Sequence, residues 1–178
     1  LNKNNSSYQE VVDSVYQNHS YKVFDESMTW QQAKEKCESL GGHLVTITSQ
    51  EEQNFVAKLL TNGSKKQYWI GATTTGGTPQ WITGETFSYS NWDVIEPNSH
   101  TRSDGEKEQY VHIYNTPNPA VSGSKRFAWN DMYYDNTYPG EEDNFSLQTV
   151  GFVCEWETWS DSADWSTPEL QEAADAGL

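Results

Sequence analysis

The sequence predicts a single α+β domain, on three observations. Two stretches with helical spacing lie in the first third of the chain. Short apolar or alternating runs that read as strands flank and follow them. Between Ser88 and Gln109 lies a polar stretch too long for a hairpin turn, and loops of that length inside a domain are uncommon unless they carry function. A length of 178 residues fits one such domain with extra sequence at its ends. The expected division is an N-terminal extension at 1–18, the domain at 19–157, and an acidic linker or docking tail at 158–178.

In chain order, residues 1–18 are polar and Asn-rich, with a short apolar rhythm at Val11, Val12, Val15 and Tyr16 that suggests one or two helical turns. Ser20 to Phe24 alternates and reads as a strand. Met28, Trp30, Ala33, Cys37 and Leu40 recur at helical spacing, and Gly41-Gly42 offers an easy left-handed end. This is the first helix, with Cys37 facing the core. Leu44, Val45 and Ile47 form a strand-like run. Ser49 and Glu52 then make a capping-box signature ahead of a second helix over about Gln50 to Leu60. Tyr68 to Gly71, Gln80 to Ile82, Val111 to Tyr114 and Val150 to Trp156 read as the remaining strands. In the tail, Ser166-Thr167-Pro168-Glu169 opens a short helical pattern that closes near Gly177.

Composition excludes more than it identifies. The net charge is −15 and the eleven basic residues are scattered, which argues against nucleic acid and against anionic membranes. Eight Trp, ten Tyr and six Phe put much of the burial into aromatic side chains whose polar tips tolerate a wet edge. No apolar run approaches membrane-spanning length, so no membrane insertion is expected. With no signal peptide at Leu1, the chain reads as a mature or excised soluble piece.

Cys37 and Cys154 lie 117 positions apart, which rules out a close-spaced zinc motif and leaves two buried thiols or one long-range bridge. The bridge is preferred. Closing so long a loop stabilises a fold by roughly 5 kcal/mol in the chain-entropy model. A bridge implies an oxidising compartment, hence a secreted or cell-surface (extracellular) protein.

Glu96-Pro97-Asn98 and Trp129-Asn130-Asp131 carry the chemistry. Glu96, Asn98, Asn130 and Asp131 offer acid and amide oxygens without sulfur or nitrogen, the donor set that calcium takes in its six- to eight-fold coordination. Around them stands an ordered series: Trp30, Ala33 and Cys37 on a helix, Gly41-Gly42-His43-Leu44, Trp69-Ile70-Gly71, Asn91-Trp92, the two tripeptides, and Val153-Cys154-Glu155. In order and approximate spacing this series resembles the C-type lectin domain, over about Tyr21 to Trp156, roughly three quarters of the chain.

The resemblance implies a C-type lectin-like fold of two helices, two small antiparallel sheets and a long ligand-binding loop. Cys37 and Cys154 would form the family's bridge between the first helix and the last strand. The family's second bridge is absent, with Tyr110 and Tyr134 at or near its place, which leaves calcium to order the long loop. The principal calcium site would comprise Glu96, Asn98, Glu108, Asn130 and Asp131. For the fifth ligand, counting forward from Asn98 reaches Asp104 and counting back from the strand at Val111 reaches Glu108; the strand register favours Glu108. Thr74, Ser99 and Gln109 stand at or near the positions of the acids that hold a second ion in many relatives, so one functional calcium is expected.

Within the family such an ion holds two neighbouring sugar hydroxyls, which also hydrogen-bond the metal's own ligands. A carboxylate can only accept and an amide nitrogen can only donate, so Glu96 with Asn98, and Glu108 with Asn130, read one hydroxyl each in both directions. Pro97 is expected in a cis peptide bond, a feature of such tight turns. The Glu-Pro-Asn order goes with mannose-type sugars (mannose, N-acetylglucosamine, glucose, fucose), whereas galactose binders usually show Gln-Pro-Asp. The expected partner is therefore a glycan, bound weakly as a monosaccharide and strengthened by avidity in a larger multidomain or multivalent protein.

Other residues carry less. Trp69, Trp81, Trp92 and Trp129 read as packing residues, as do His43 and His112, and neither histidine has a cysteine or second histidine at zinc spacing. His100 is a loop histidine outside the expected site. No nucleophile elbow, phosphate loop or dinucleotide fingerprint is present. A glycosidase working through Glu96 and Glu108 would need one of two metal-bound, ionised acids to donate a proton, so no enzyme is expected. The alternative is a C-type lectin-like module for protein binding or cell-surface adhesion without sugar, since a fold does not fix a function.

Overall fold

The chain enters the described region as a strand, where its apolar rhythm suggests helix. In the computed structural model, which describes residues 15–157, β1 (Val15–Tyr16) pairs antiparallel with β2 (His19–Phe24). The two are joined by Gln17 and Asn18, both at positive φ (48° and 64°). That two-residue turn matches the twist of the strands it connects. Val11 and Val12, and the helical pattern expected after Ser166, lie outside the described residues.

Helix α1 spans Trp30–Ser39. Thr29 caps it through a reciprocal pair: Thr29 Oγ1 accepts from the Gln32 amide at 3.3 Å, and Gln32 Oε1 accepts from the Thr29 amide at 3.0 Å. Trp30, Ala33 and Cys37 form its buried face. The helix ends at Leu40, and Gly41 follows at φ +82°. Any side chain at Gly42 would start 2.6 Å from the Glu155 carbonyl, so the pair of glycines both ends the helix and lets it approach the last strand. Cys37 is bonded to Cys154 with their Cα atoms 5.5 Å apart.

Helix α2 is Gln50–Leu60 and buries Gln53, Val56 and Leu60. Half of its expected capping box forms. Ser49 accepts from the Glu52 amide at 3.1 Å, but the Glu52 carboxylate turns to the Thr48 amide and hydroxyl, both at 3.3 Å.

The remaining strands are β3 (His43–Leu44), β4 (Gln67–Thr73), β5 (Gln80–Trp81), β6 (Tyr110–Tyr114), β7 (Trp129–Met132) and β8 (Val150–Trp156). The two antiparallel sheets implied by the resemblance are joined into one, in the order β1-β2-β8-β4-β6-β7, with β3 added to β8 and β5 to β4. The join is parallel: Gln67, Tyr68 and Trp69 pair with Val150, Gly151 and Phe152. β7 was not legible as a strand; its Asn130 and Asp131 are polar yet buried. It stands at the end of the sheet, held by an aromatic cluster in which Trp81, Phe87, Tyr89 and Trp92 all meet Trp129 or one another at 4.9–6.2 Å.

Candidate functional site

The long stretch 88–109 forms no strand or helix; it is laid along the free edge of β7. Trp129 donates its amide to the Asn91 carbonyl at 2.8 Å and accepts from the Asp93 amide at 2.8 Å. Farther along, Asp131 takes the backbone amides of Asn98 and Ser99 on its two oxygens, at 3.0 and 2.8 Å. The loop backbone thus satisfies both the strand edge and a fully buried carboxylate on it, and these bonds fix the Glu96-Pro97-Asn98 turn above the sheet. The Glu96–Pro97 peptide is cis, as expected. Ile95 precedes it at φ +64° and is 72% exposed, a conformation that costs a β-branched residue about 1–2 kcal/mol.

Glu96, Asn98, Glu108 and Asn130 line one cavity of about 190 Å³, walled otherwise by Ile95, Val121, Met132, Tyr138 and Phe145 among others. Asp131 does not line it but accepts from the Asn98 and Ser99 amides. The five residues expected from the sequence are therefore brought together. Asp104 is not with them: it is exposed and tied to Arg102, which holds its carboxyl below the usual range. Glu108 is buried and lines the cavity.

The electrostatics of this group are unfavourable as they stand. Glu96 Oε1 accepts from Asn98 Nδ2 at 3.1 Å, but Glu96 Oε2 and Glu108 Oε2 are buried without any hydrogen-bond partner. Burial and then the neighbouring Asp131 carboxylate push Glu96 up to about 8; burial, then the charges of Asp131 and Glu96, push Glu108 up to about 9. A buried acid oxygen without a donor costs free energy that a cation would return. Oxygen donors from three acids and two amides suit a hard ion such as calcium. Among the described residues no three His, Cys, Asp or Glu side chains already converge on a point a metal could occupy. Two of the five donors are amides.

Asn130 is held from below by a buried polar chain. His112, directly opposite it in the β6–β7 register, is fully buried and pushed down to about 3 by that burial. Its Nε2 lies 3.0 Å from Asn130 Nδ2 and its Nδ1 2.7 Å from Asn136 Oδ1. The sequence marked His112 only as a strand residue, and Asn136 carried no signal at all.

The loop is also clasped from outside. Arg102 Nη1 bonds Asp135 at 3.1 and 3.2 Å and the Thr137 carbonyl at 3.2 Å; its Nε bonds Asp104, and its guanidinium lies 4.7 Å over the Tyr133 ring. His100 Nδ1 meets the Tyr133 hydroxyl at 2.6 Å. Order in this loop therefore does not rest on calcium alone, as the lost second bridge had suggested. Tyr110 instead packs its ring on Trp30, 5.0 Å between centroids.

A neighbouring cavity of about 210 Å³ is lined by Thr74, Ser99, Lys107, Glu108 and Gln109 with flanking residues. Its one carboxylate is shared with the first cavity, and it contains an ammonium, a poor donor set for a second divalent ion. Trp69, Trp81 and Trp129 are buried in the core, as read from sequence.

Comparison with known proteins agrees with this fold. The Lectin C-type domain family matches residues 26–156. Over 114 residues the chain is 39% identical to a snaclec coagulation factor IX/factor X-binding protein of Protobothrops flavoviridis, covering 57% of this chain and 74% of that protein. It is 33% identical over 116 residues to C-type lectin domain family 4 member F of Mus musculus, covering 62% of this chain but only 18% of the mouse protein. Among solved structures, the trimeric Kupffer cell C-type lectin receptor Clec4f superposes with a TM-score of 0.61 at 27% identity, covering 89% of this chain and 93% of that one. The cow carbohydrate-recognition domain of CD23, solved in the presence of an oligosaccharide, does so with a TM-score of 0.59 at 28% identity, covering 82% and 92%.

Proposed function

The chain belongs to the C-type lectin domain family, a family of binding modules rather than enzymes, and from that premise we propose that it binds mannose-type sugars through one calcium ion held by Glu96, Asn98, Glu108, Asn130 and Asp131. The observation that carries this reading is the pair of buried, unpartnered acid oxygens, Glu96 Oε2 and Glu108 Oε2, in one cavity with two amides. A protein that needed this surface only for packing would place donors there. Calcium, when bound, supplies open coordination positions for two neighbouring hydroxyls. The chain's own groups do the rest: Glu96 and Glu108 accept from those hydroxyls, and the Asn98 and Asn130 amides donate to them. Asp131 keeps the Glu-Pro-Asn turn in place through its two backbone bonds. The disulfide and the family's setting make the working place extracellular, with avidity supplied by a larger protein.

The test is retention on immobilised mannose in calcium, in chelator, and with Asn130→Ala. Retention released by chelator and lost in the variant supports the reading. A wild-type chain that binds no calcium by calorimetry would sink it.

A second reading, a protein ligand, is favoured by the relatives named for coagulation factors and by Val94 and Ile95, 42% and 72% exposed beside the cavity. Calcium binding without retention on mannose or on a glycan array would transfer the assignment to it.

A further inference from the structure

We propose that His112 is a positioning residue that decides which atom of Asn130 faces the cavity, and that Asn136 and Gln67 decide it for His112. The inference rests on the reading of the cavity as a calcium and sugar site, and it concerns residues that touch neither.

At the far end of this chain of hydrogen bonds, Gln67 donates its Nε2 to the Asn144 carbonyl at 2.9 Å, so its Oε1 faces the other way. There it accepts from Asn136 Nδ2 at 3.0 Å. The same Asn136 nitrogen also meets the Ser146 carbonyl at 2.9 Å and Thr149 Oγ1 at 3.1 Å. A nitrogen surrounded by acceptors can only be the amide end, so Asn136 Oδ1 is the atom that points at His112 Nδ1, 2.7 Å away.

A carbonyl oxygen accepts and never donates, so the proton between them sits on His112 Nδ1. A neutral imidazole carries one such proton, and Nε2 is therefore bare. That nitrogen stands 3.0 Å from the Asn130 side chain and can only accept. Asn130 must present its amide nitrogen to it. The carbonyl oxygen of Asn130 is then turned toward the cavity, and the second amide proton is left for a ligand hydroxyl.

Were the order reversed at any point, the ring would donate from Nε2, Asn130 would offer it the carbonyl, and an amide nitrogen would face the cation. The polarity of the site is thus set by residues on β4, β6 and the segment after β7, none of which lines the cavity.

The experiment has two arms on the full chain. Nitrogen-15 NMR of the histidine rings, with His112 assigned by its absence in His112→Phe, reads the tautomer directly; the Nδ1–H form is expected. Calorimetric titration with calcium alone compares wild type, His112→Phe and His112→Gln, each also melted in chelator. Loss of a group that orients a ligand lowers metal affinity by roughly 10–100-fold. That loss is expected in His112→Phe beyond any change in melting, with partial recovery in His112→Gln, whose carbonyl can accept from Asn130. An Nε2–H tautomer in a protein that binds calcium overturns this inference alone, as does unchanged affinity in folded His112→Phe. A wild-type chain that binds no calcium overturns the site reading itself, whatever the tautomer. If His112→Phe does not fold, the wild-type tautomer still decides, with His112→Gln supplying the assignment.

Discussion

Two pairs of acids, one at the second helix and one under the long loop, are alike in holding their protons above the ordinary range and opposite in what surrounds them. Glu52 and Glu155 share the first place. Burial and the Glu155 charge push Glu52 up to about 7, and burial raises Glu155 as well. Yet every oxygen of this pair has a partner. Glu52 accepts from the Tyr21 hydroxyl at 3.4 Å and from Thr48; Glu155 accepts from the Thr46 amide at 3.1 Å and lies 2.7 Å from His19 Nδ1. Glu96 and Glu108 are pushed up by similar means, but each keeps one oxygen that meets nothing. Burial of an acid therefore does not mark a site. Burial without donors does, because the missing donor is what a cation replaces.

The difference between the pairs is most open to attack at Glu108. Glu108→Gln should cost on the order of 100-fold or more in calcium affinity, beyond the roughly 10–100-fold seen when only an orienting residue is lost. In chelator the same variant should melt no lower than wild type, since it removes a buried charge that lacks a partner. A large loss of stability there would place Glu108 with the structural pair instead.

Glu155→Ala should behave the opposite way. It strips partners from His19 and the Thr46 amide and should destabilise by about 3 kcal/mol. Its calcium affinity, measured by calorimetry where the protein is folded, should stay close to wild type; a loss comparable to that of Glu108→Gln would erase the distinction.

The acids also predict opposite pH slopes with and without metal. In the metal-free protein Glu96 and Glu108 hold protons up to about 8 and about 9, against an ordinary value of 4.5, so between those limits the folded state binds more protons than the unfolded one. Their contribution to stability is complete below the ordinary carboxylate range and is lost as pH rises through 8 to 9. Calcium requires both acids ionised, so the rise in melting temperature on adding calcium should grow over the same window. Glu52 titrates with the same sign in both conditions and cancels from the difference. A calcium effect that shrinks toward the upper end of that window would contradict the assignment.

Smaller effects should come from the rim. Arg102→Lys loses the planar fork that reaches Asp135, Asp104 and Tyr133 together, and calcium affinity should fall by roughly fivefold as binding takes over the ordering of the loop. Asp104→Ala, by contrast, should leave it within about twofold, because an exposed pair contributes little. If Asp104→Ala abolished binding while Glu108→Gln did not, the fifth ligand would be Asp104.

Much of this was legible in the sequence because local rules and ligand motif coincide. The helix over Gln50–Leu60 announced itself through Ser49 and the spacing of Val56 and Leu60, and the four residues that share the cavity through two tripeptides and a strand register. What was hidden depends on partners distant in sequence. Val15 and Tyr16 look helical until Gln17 and Asn18 adopt a positive-φ turn for which Gln17 is not a usual residue. The strand Trp129–Met132 hides because its polar members are satisfied by a loop and by His112, which no alternation can reveal. The parallel join of Gln67–Trp69 to Val150–Phe152 links segments that no local pattern relates. The clasp of Arg102 on Asp135 spans 33 positions and joins two residues that read in sequence as ordinary charges.

That clasp has a consequence for handling the molecule. The bridge that ties the first helix to the last strand is sulfur, but the loop over the cavity is fastened by guanidinium, carboxylate and an aromatic face. Thiol reagents act on the former and leave the latter untouched, whereas salt acts on the latter, and only weakly on the Arg102–Asp135 pair, whose side chains are 11% and 24% exposed. Grip on a ligand should accordingly survive both reduction and moderate salt better than a loop fastened by exposed charges would.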